Sequence, residues 1–233
     1  MKLYVGTSGY SYKEWKGSFY PEQIPAAEML SYYASRLPAV ELNNTFYRMP
    51  QRSVVESWKT QVPAGFRFSV KATRSITQFR RLKDAAALTK SMLETVSALG
   101  DRLGVVYFRL PEDMKKDLAR LETFLRELPA DVPIAFDFRH PTWFEEDVYD
   151  LLRKHKRVLC VSDTDELPAT QIDNTADWGY LRLRRVNYSA ADLTRWIERI
   201  RAQRWKRVFV FFKHEDEGTG PKLAAQFIKL SKA

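Results

Sequence analysis

β-Strand patterns alternate with helical patterns along almost all of this 233-residue chain. The strand-like runs are rich in β-branched and aromatic residues, which suit a pleated, half-buried backbone. Most of the segments between them repeat apolar residues at i, i+3, i+4 and i+7, the spacing of one helix face. The predicted strands are residues 3–7, 39–43, 67–72, 104–110, 133–138, 158–162, 178–183 and 207–212, and the predicted helices are residues 26–36, 53–61, 84–99, 115–128, 145–156, 190–203 and 221–232.

Eight strands with about one helix each predict an α/β fold, a single (β/α)8 TIM-type barrel that forms one domain over residues 1–233. The sixth unit departs from the pattern, because residues 163–177 are polar, contain Pro168 and show no helical period. A long loop is predicted there in place of a clear helix. At the start of the second helix, Ser53 followed by Glu56 predicts a capping box.

The composition excludes several classes of protein. The single cysteine, Cys160, rules out an intramolecular disulfide framework and multi-cysteine metal sites, and its apolar neighbours predict that it lies in the core. The longest apolar runs, such as residues 208–212, are strand-sized, so no membrane association is predicted. The first residues show no signal-peptide pattern, and we expect a cytoplasmic location. No P-loop, dinucleotide-binding glycine motif or nucleophile elbow is found, and no pattern indicates an oligomeric state.

Charged and polar residues follow the strands at the end of the barrel where TIM-type enzymes place their active sites. Period-two alternation points Glu41 and Asn43 of the second strand to the same side, which we interpret as the barrel interior. An isolated buried charge is costly, so the carboxylates are expected to neutralise Lys71, Arg139 and Arg182. The other residues predicted for this ring are Ser69, Tyr107, Arg109, Asp137, Arg184 and Lys213, with Asp163 joining from the sixth strand.

Aromatic residues and basic charge gather in the loops after the strands. The chain carries 38 basic and 29 acidic residues, a net charge of +9. Part of this surplus belongs to the outer face of the sixth predicted helix, whereas Arg80, Arg81 and Arg185 follow strands and lie near the barrel mouth. The aromatic residues suit stacking on a base or sugar, although ordinary loop packing is an equal alternative. They are Tyr12, Trp15, Phe46, Tyr47 and Trp143.

Four motifs together resemble the DUF72, or YecE-like, family. They are Gly6-Thr7-Ser8-Gly9-Tyr10-Ser11-Tyr12 with Trp15 and Phe19-Tyr20-Pro21, Val40-Glu41-Leu42-Asn43-Asn44-Thr45-Phe46-Tyr47, Phe68-Ser69-Val70-Lys71, and Phe138-Arg139-His140-Pro141-Thr142-Trp143. The resemblance extends over essentially the whole chain and implies a TIM-type barrel without an established activity. Its likeness to the endonuclease IV and xylose isomerase barrels is an analogy of fold. Asp137, Arg109, Arg184-Arg185 and Lys213-His214-Glu215 depart from the residues common in the family.

The sequence favours binding of an anionic, phosphate- or carboxylate-bearing ligand at the mouth, with hydrolysis of a phosphoester or glycosidic bond as the reaction. In this hypothesis Glu41 and Asp137 act as acid and base, and Lys71 and Arg139 stabilise charge. A non-catalytic nucleic-acid-binding module with a basic, aromatic groove is the alternative. The residues predicted to bind ligand are Tyr12, Trp15, Asn43, Asn44, Phe46, Tyr47, Arg109, His140, Trp143, Asp163, Arg182, Arg184 and Lys213.

No cofactor is predicted. The chain has only three histidines, too few for the trinuclear zinc site of endonuclease IV chemistry. One divalent metal ion held by Glu41, Asp137 and Asp163, with His140 or His214, stays open as an alternative.

Overall fold

Parallel strands form a single sheet in the computed structural model, which describes residues 1–166, 169, 172–213 and 216–232. Nine strands are found among these residues, and all their pairings are parallel. They are β1 (Lys2–Ser8), β2 (Ala39–Leu42), β3 (Arg67–Lys71), β4 (Leu103–Arg109), β5 (Ile134–Asp137), β6 (Val158–Leu159), β7 (Val161–Asp163), β8 (Trp178–Leu183) and β9 (Arg207–Phe212).

The sheet closes on itself at Cys160. The strand order is β6-β5-β4-β3-β2-β1-β9-β8-β7, so its two ends, β6 and β7, are consecutive segments of one chain path. β6 pairs with β5 and β7 pairs with β8, while the Cys160 amide donates to the Phe136 carbonyl at 2.8 Å. The two segments together occupy one strand position, which confirms the predicted (β/α)8 TIM-type barrel.

Helices follow most of the strands, as predicted. Among the described residues between β7 and β8 no helix forms, which agrees with the predicted loop. The capping box predicted at Ser53 is wrong, because the helix begins at Arg52 and no side chain caps it; a capping box forms instead between Ser189 and Asp192. The helices are α1 (Met29–Ala34), α2 (Arg52–Thr60), α3 (Ala86–Val96), α4 (Leu118–Arg126), α5 (Glu146–Lys154), α6 (Ala190–Arg201) and α7 (Thr219–Leu230). None of them is long and apolar enough to cross a bilayer.

Two apolar layers hold the barrel together, one on each face of the sheet. Alternation along β2 sends Val40 and Leu42 outward into the large layer beneath the helices, whereas Ala39 points inward. The inner layer consists of Tyr4, Ala39, Val105, Tyr107, Ala135, Val158, Cys160, Trp178, Tyr180, Phe209 and Phe211. Cys160 is therefore a core residue, as predicted. The next inward positions toward the strand C-termini are polar, and they form the floor of the barrel mouth.

Candidate functional site

A buried arginine joins two strands that are not adjacent to its own strand in the sheet. Arg182 on β8 is only 2% exposed, and its side chain forms ion pairs with Glu41 on β2 and Asp137 on β5, both fully buried. Nε and Nη2 donate to the two oxygens of Glu41, each at 2.9 Å, and Nη1 donates to Asp137 Oδ2 at 2.9 Å. This bidentate fork fixes both carboxylates and the arginine in one geometry.

Glu41 accepts three further hydrogen bonds, one of them from Asn43 Nδ2 to Oε1 at 3.4 Å. Ser8 Oγ donates to Oε1 at 2.6 Å, and the Tyr180 hydroxyl donates to Oε2 at 2.7 Å. Ser69 Oγ lies 2.7 Å from the Tyr180 oxygen and extends this network to β3. Burial raises the pKa of Glu41, but the charge and hydrogen bonds of Arg182, with those of Ser8 and Tyr180, outweigh it and lower the pKa to about 2. Glu41 is therefore a permanent anion at neutral pH.

Asp137 is less completely bonded than Glu41. Its Oδ1 is buried and accepts no hydrogen bond within the described part of the chain, although Arg139 Nη1 lies 3.6 Å away. The same Nη1 donates to Ser162 Oγ at 2.9 Å, and the Arg139 side chain is 14% exposed. Asp137 therefore has one oxygen that faces a cation without a direct bond.

Above this layer, three cations lie half-buried at the mouth: Lys71 at the end of β3, Arg109 at the end of β4 and Arg184 directly after β8. Lys71 and Arg184 have no ion-pair or hydrogen-bond partner for their charged ends among the described residues, and Arg184 Nε is buried and unsatisfied. Among the residues that the structure describes, Arg109 pairs only with Glu112, which is 72% exposed. Burial lowers the pKa of Lys71 to about 8, helped by the charges of Arg182 and Arg109. Burial, Arg182 and Arg109 lower the pKa of Arg184 as well.

Aromatic and amide groups border the cations on the β2 side. Lys71 Nζ lies 4.2 Å from the centre of the Phe46 ring. Asn43 accepts from the buried Tyr107 hydroxyl at 3.1 Å, and Asn44 is exposed in the same loop. Tyr47 is 68% exposed and packs edge-on against Phe46. These residues lie at the mouth, where the sequence placed them.

Two other predicted residues also lie near this rim. Tyr12 is half-buried, and its hydroxyl donates to the Ser8 carbonyl at 2.7 Å. Lys213 follows β9, is half-buried, and its amide donates to the Leu183 carbonyl at 3.3 Å. Whether any of the predicted residues binds a ligand stays a prediction.

Asp163 was expected to join the ring, and that placement is wrong. The chain alternates through Val158, Cys160 and Ser162 toward the interior, so Asp163 points outward. There Arg185 Nη2 donates to its Oδ1 at 2.9 Å and the Tyr188 hydroxyl donates to its Oδ2 at 2.8 Å. It therefore anchors the loop after β8 and does not neutralise Lys71, Arg139 or Arg182.

The two tryptophans expected to stack on a ligand are core residues. Trp15 is 1% exposed and packs among Tyr12, Phe19 and Tyr20. Trp143 is fully buried, stacks on Phe138 at 4.6 Å, and its indole N–H donates to a backbone carbonyl. Neither ring has a free face, so their predicted ligand-stacking role is wrong.

The carboxylates do not assemble a metal site. Arg182 bridges Glu41 and Asp137, and Asp163 lies on the other side of the strand. His140 Nδ1 accepts from the Thr142 amide at 3.3 Å and lies 2.9 Å from the Thr142 hydroxyl, while His214 lies outside the described residues. No group of three or more histidine, cysteine, aspartate or glutamate side chains in the described ranges is arranged to hold a metal ion.

Sequence reasoning missed three residues that hydrogen-bond to the charged side chains in the floor of the barrel mouth: Ser8, Ser162 and Tyr180. The alternation was recognised for the strand of Tyr180, which lies two residues before Arg182. It was not applied to the strand of Ser8, and in the sixth strand Asp163 was taken as inward, whereas the inward positions are Cys160 and Ser162. Extending the alternation backward from each charged residue is the signal that identifies Tyr180.

Comparisons with known proteins agree with this architecture. A family model described as "Protein of unknown function DUF72" matches residues 4–233. UPF0759 protein YunF of Bacillus subtilis is 26% identical over 156 residues, 64% of this chain and 54% of YunF. UPF0759 protein YecE of Escherichia coli is 29% identical over 143 residues, 61% of this chain and 50% of YecE. The chain thus spans about half the length of these curated relatives.

Two crystal structures are similar to the whole chain. A DUF72 family protein from Thermotoga maritima superposes with a TM-score of 0.87 at 28% identity and covers 100% of both chains. A DUF72 family protein from Enterococcus faecalis has a TM-score of 0.82 at 19% identity, covering 99% of this chain and 96% of its own. The second likeness is one of fold alone.

Proposed function

Since this chain belongs to the DUF72 family, whose function is unknown, we propose from its own residues that it binds a small phosphate- or carboxylate-bearing molecule at the C-terminal mouth of the barrel. The observation that carries the proposal is a group of three half-buried cations, Lys71, Arg109 and Arg184, none of which pairs with a buried carboxylate in the described ranges. Lys71 and Arg184 lack a charged partner in the part of the chain that the structure describes, and the partner of Arg109 lies in solvent.

The ion pairs in the floor of the barrel mouth explain why an anion suits the space beside the rim cations. Glu41 and Asp137 both form ion pairs with Arg182. Arg139 lies beside Asp137 Oδ1, the oxygen that Arg182 does not contact. Besides burial and the charge of Arg182, the charge of Arg109 lowers the pKa of Arg184, and no carboxylate in the described ranges pairs with Arg184 or Lys71. A phosphate or carboxylate there would accept charge-assisted hydrogen bonds from Arg109 and Arg184 and relieve their mutual repulsion.

Hydrolysis of a phosphoester or glycosidic bond remains a proposal for the reaction, and the two carboxylates support it unequally. Glu41 accepts four short hydrogen bonds and has a pKa of about 2, so its geometry favours the task of positioning Arg182 over that of donating or taking a proton. Asp137 Oδ1 accepts no hydrogen bond from a described residue. If a carboxylate acts as a base here, Asp137 is the better candidate.

Calorimetric titration with inorganic phosphate tests the binding proposal. Replacing Arg184 or Arg109 with Gln removes one charge-assisted contact, which is worth about 1.5–3 kcal/mol, so each variant should bind phosphate roughly 10- to 100-fold more weakly. Arg195→Gln is the matched control, because Arg195 is 67% exposed on α6 and pairs with Asp192. Sodium chloride at equal ionic strength controls for screening. Equal binding by all four proteins, or none at millimolar phosphate, contradicts the proposal.

One observation favours nucleic-acid binding as a second candidate function. The Arg74 guanidinium lies 5.8 Å from the Tyr47 ring and 5.5 Å from the Phe79 ring, and the two rings are 68% and 71% exposed. Exposed aromatic faces beside a cation suit stacking of unpaired bases. Arg81, which the sequence placed in this groove, is instead paired with Asp113 at 2.6 Å.

Fluorescence anisotropy with a labelled oligothymidylate tests this second candidate. Binding that falls steeply with salt and is lost in Arg74→Glu, but not in the outer-helix control Arg195→Glu, supports it. Binding that is absent, insensitive to salt, or equal in both variants contradicts it.

A further inference from the structure

Lys71 differs in its surroundings from the lysines that form ion pairs with carboxylates. Lys116 pairs with Glu145 and Asp147, Lys154 pairs with Glu122, and Lys206 pairs with Asp177. Lys71 instead points into the mouth with no acceptor for its amine among the described residues. Its position is well fixed, because the Thr45 hydroxyl donates to the Lys71 carbonyl at 2.8 Å.

The groups around the amine favour its neutral form. Burial acts first, and the charges of Arg182 on β8 and Arg109 on β4 act in the same direction. Glu41 on β2 and Asp137 on β5 oppose them, but both are already directed at Arg182. With a pKa of about 8, roughly a quarter of the amine is neutral at pH 7.5, against about a thousandth for an ordinary lysine. The Phe46 ring covers one side of the amine, but the π face of a ring attracts an ammonium ion, so the neutral form is favoured by burial and the two arginines and not by this contact.

We propose that Lys71 is a catalytic nucleophile that forms an imine with the carbonyl carbon of a small anionic aldehyde or ketone held by Arg109 and Arg184. This inference rests on the proposed anion-binding function and names its substrate class. A desolvated lysine beside other cations is a recognised way to activate an amine for Schiff-base chemistry. The arginines would hold the carboxylate or phosphate while the amine reaches the carbonyl.

The step balances without any further reactant. The Nζ lone pair forms a C–N bond, and the carbonyl π electrons move to oxygen. A proton passes from nitrogen to that oxygen through solvent, which gives a neutral carbinolamine. A second proton from solvent lets the C–O bond break with loss of water, leaving a protonated imine. No atom is oxidised or reduced, and the positive nitrogen withdraws electrons from the neighbouring carbon.

Reductive trapping tests the inference on the full chain. The protein is incubated with pyruvate or dihydroxyacetone phosphate and sodium cyanoborohydride, and modified lysines are located by peptide mass spectrometry. We expect modification at Lys71 to exceed that at any other lysine by at least about tenfold, with a rate that rises with pH to a midpoint near 8. Hydroxyacetone, which lacks the anionic group, should react far more slowly.

Two variants separate the outcomes. Lys71→Arg removes the nucleophile and should show no dominant adduct, whereas Lys206→Arg alters an 83% exposed lysine and should react like the unmodified protein, on which phosphate binding is measured. Thermal unfolding verifies that both variants fold. Phosphate binding without a dominant Lys71 adduct overturns this inference alone. Absence of phosphate binding overturns the proposed function, and equal trapping of hydroxyacetone overturns the anionic substrate class.

Discussion

Replacing Arg182 with Met should destabilise the protein strongly at neutral pH. The substitution keeps most of the side-chain volume. It removes the one cation, among the described residues, that is hydrogen-bonded to both Glu41 and Asp137. Both carboxylates are fully buried, so each would be left charged in a medium of low polarity or would have to take up a proton. Removing one partner of a buried pair costs about 3–5 kcal/mol, and we expect a loss of unfolding free energy in that range.

The pKa of Glu41 gives an independent estimate of this magnitude. Its folded pKa of about 2 lies below the ordinary value of 4.5, so ionisation of Glu41 stabilises the native state by about 3 kcal/mol at neutral pH. A depressed carboxyl pKa contributes stability above the unfolded pKa and loses it as the pH falls from about 4.5 to about 2. Without Arg182, only the hydrogen bonds from Ser8 and Tyr180 oppose the effect of burial among the causes named for Glu41, so its pKa rises. The destabilisation by Arg182→Met should therefore be larger at pH 7 than at pH 4.

Urea unfolding followed by tryptophan fluorescence at pH 4 and pH 7 measures both effects. Arg195→Met is the matched control, because the exposed pair of Arg195 with Asp192 should contribute less than about 1 kcal/mol at either pH. The triple variant that also carries Glu41→Gln and Asp137→Asn removes the orphaned charges and should recover part of the loss. A loss below about 1 kcal/mol at pH 7, or an equal loss at both pH values, would refute the reasoning.

Three further predictions concern the barrel wall and interior. Tyr180→Phe removes the hydroxyl that donates to Glu41 and should lower the unfolding free energy by about 1–3 kcal/mol in the same urea experiment; an unchanged midpoint would contradict the importance of that bond. Gly6→Ala should abolish stable folding, seen as loss of the cooperative thermal transition, because an added Cβ would overlap the Ala39 carbonyl on the neighbouring strand. Burial raises the pKa of the Cys160 thiol, so a thiol reagent should label it only at the rate of unfolding, and rapid labelling of the native protein would argue against its core position.

The fold follows from local signals that this chain carries strongly. Helix α6 repeats Leu193, Trp196, Ile197 and Ile200 on one face, and all four are buried against the barrel. Strand β2 alternates just as clearly, and it places Glu41 inward beside Ala39. Because both periods can be read within a dozen residues, they identify the barrel without knowledge of distant contacts.

The side chains that face the mouth were only partly predictable, because the inward positions of a strand depend on the residue at which its alternation begins. Asp163 was assigned inward, but the inward positions of its chain path are Cys160 and Ser162, so the aspartate takes the opposite side. Trp15 and Trp143 failed for another reason. An aromatic ring in a loop is equally compatible with stacking on a ligand and with packing under the loop, and only long-range contacts such as that of Trp143 with Phe138 decide.

Arg182 affects both chemical roles considered for the mouth, acid–base catalysis by Glu41 and nucleophilic attack by Lys71, and it affects them in opposite directions. Its positive charge holds the pKa of Glu41 at about 2, which favours a structural anion over an acid–base catalyst. The same charge helps to lower the pKa of Lys71 to about 8, which favours a neutral amine. The Arg182 guanidinium thus makes Glu41 less suited to proton transfer and makes Lys71 a better nucleophile. Two carboxylates near an amine would ordinarily stabilise its ammonium form. Because Arg182 binds both of them, a neutral amine at Lys71 is compatible with the anion binding that we propose for Arg109 and Arg184.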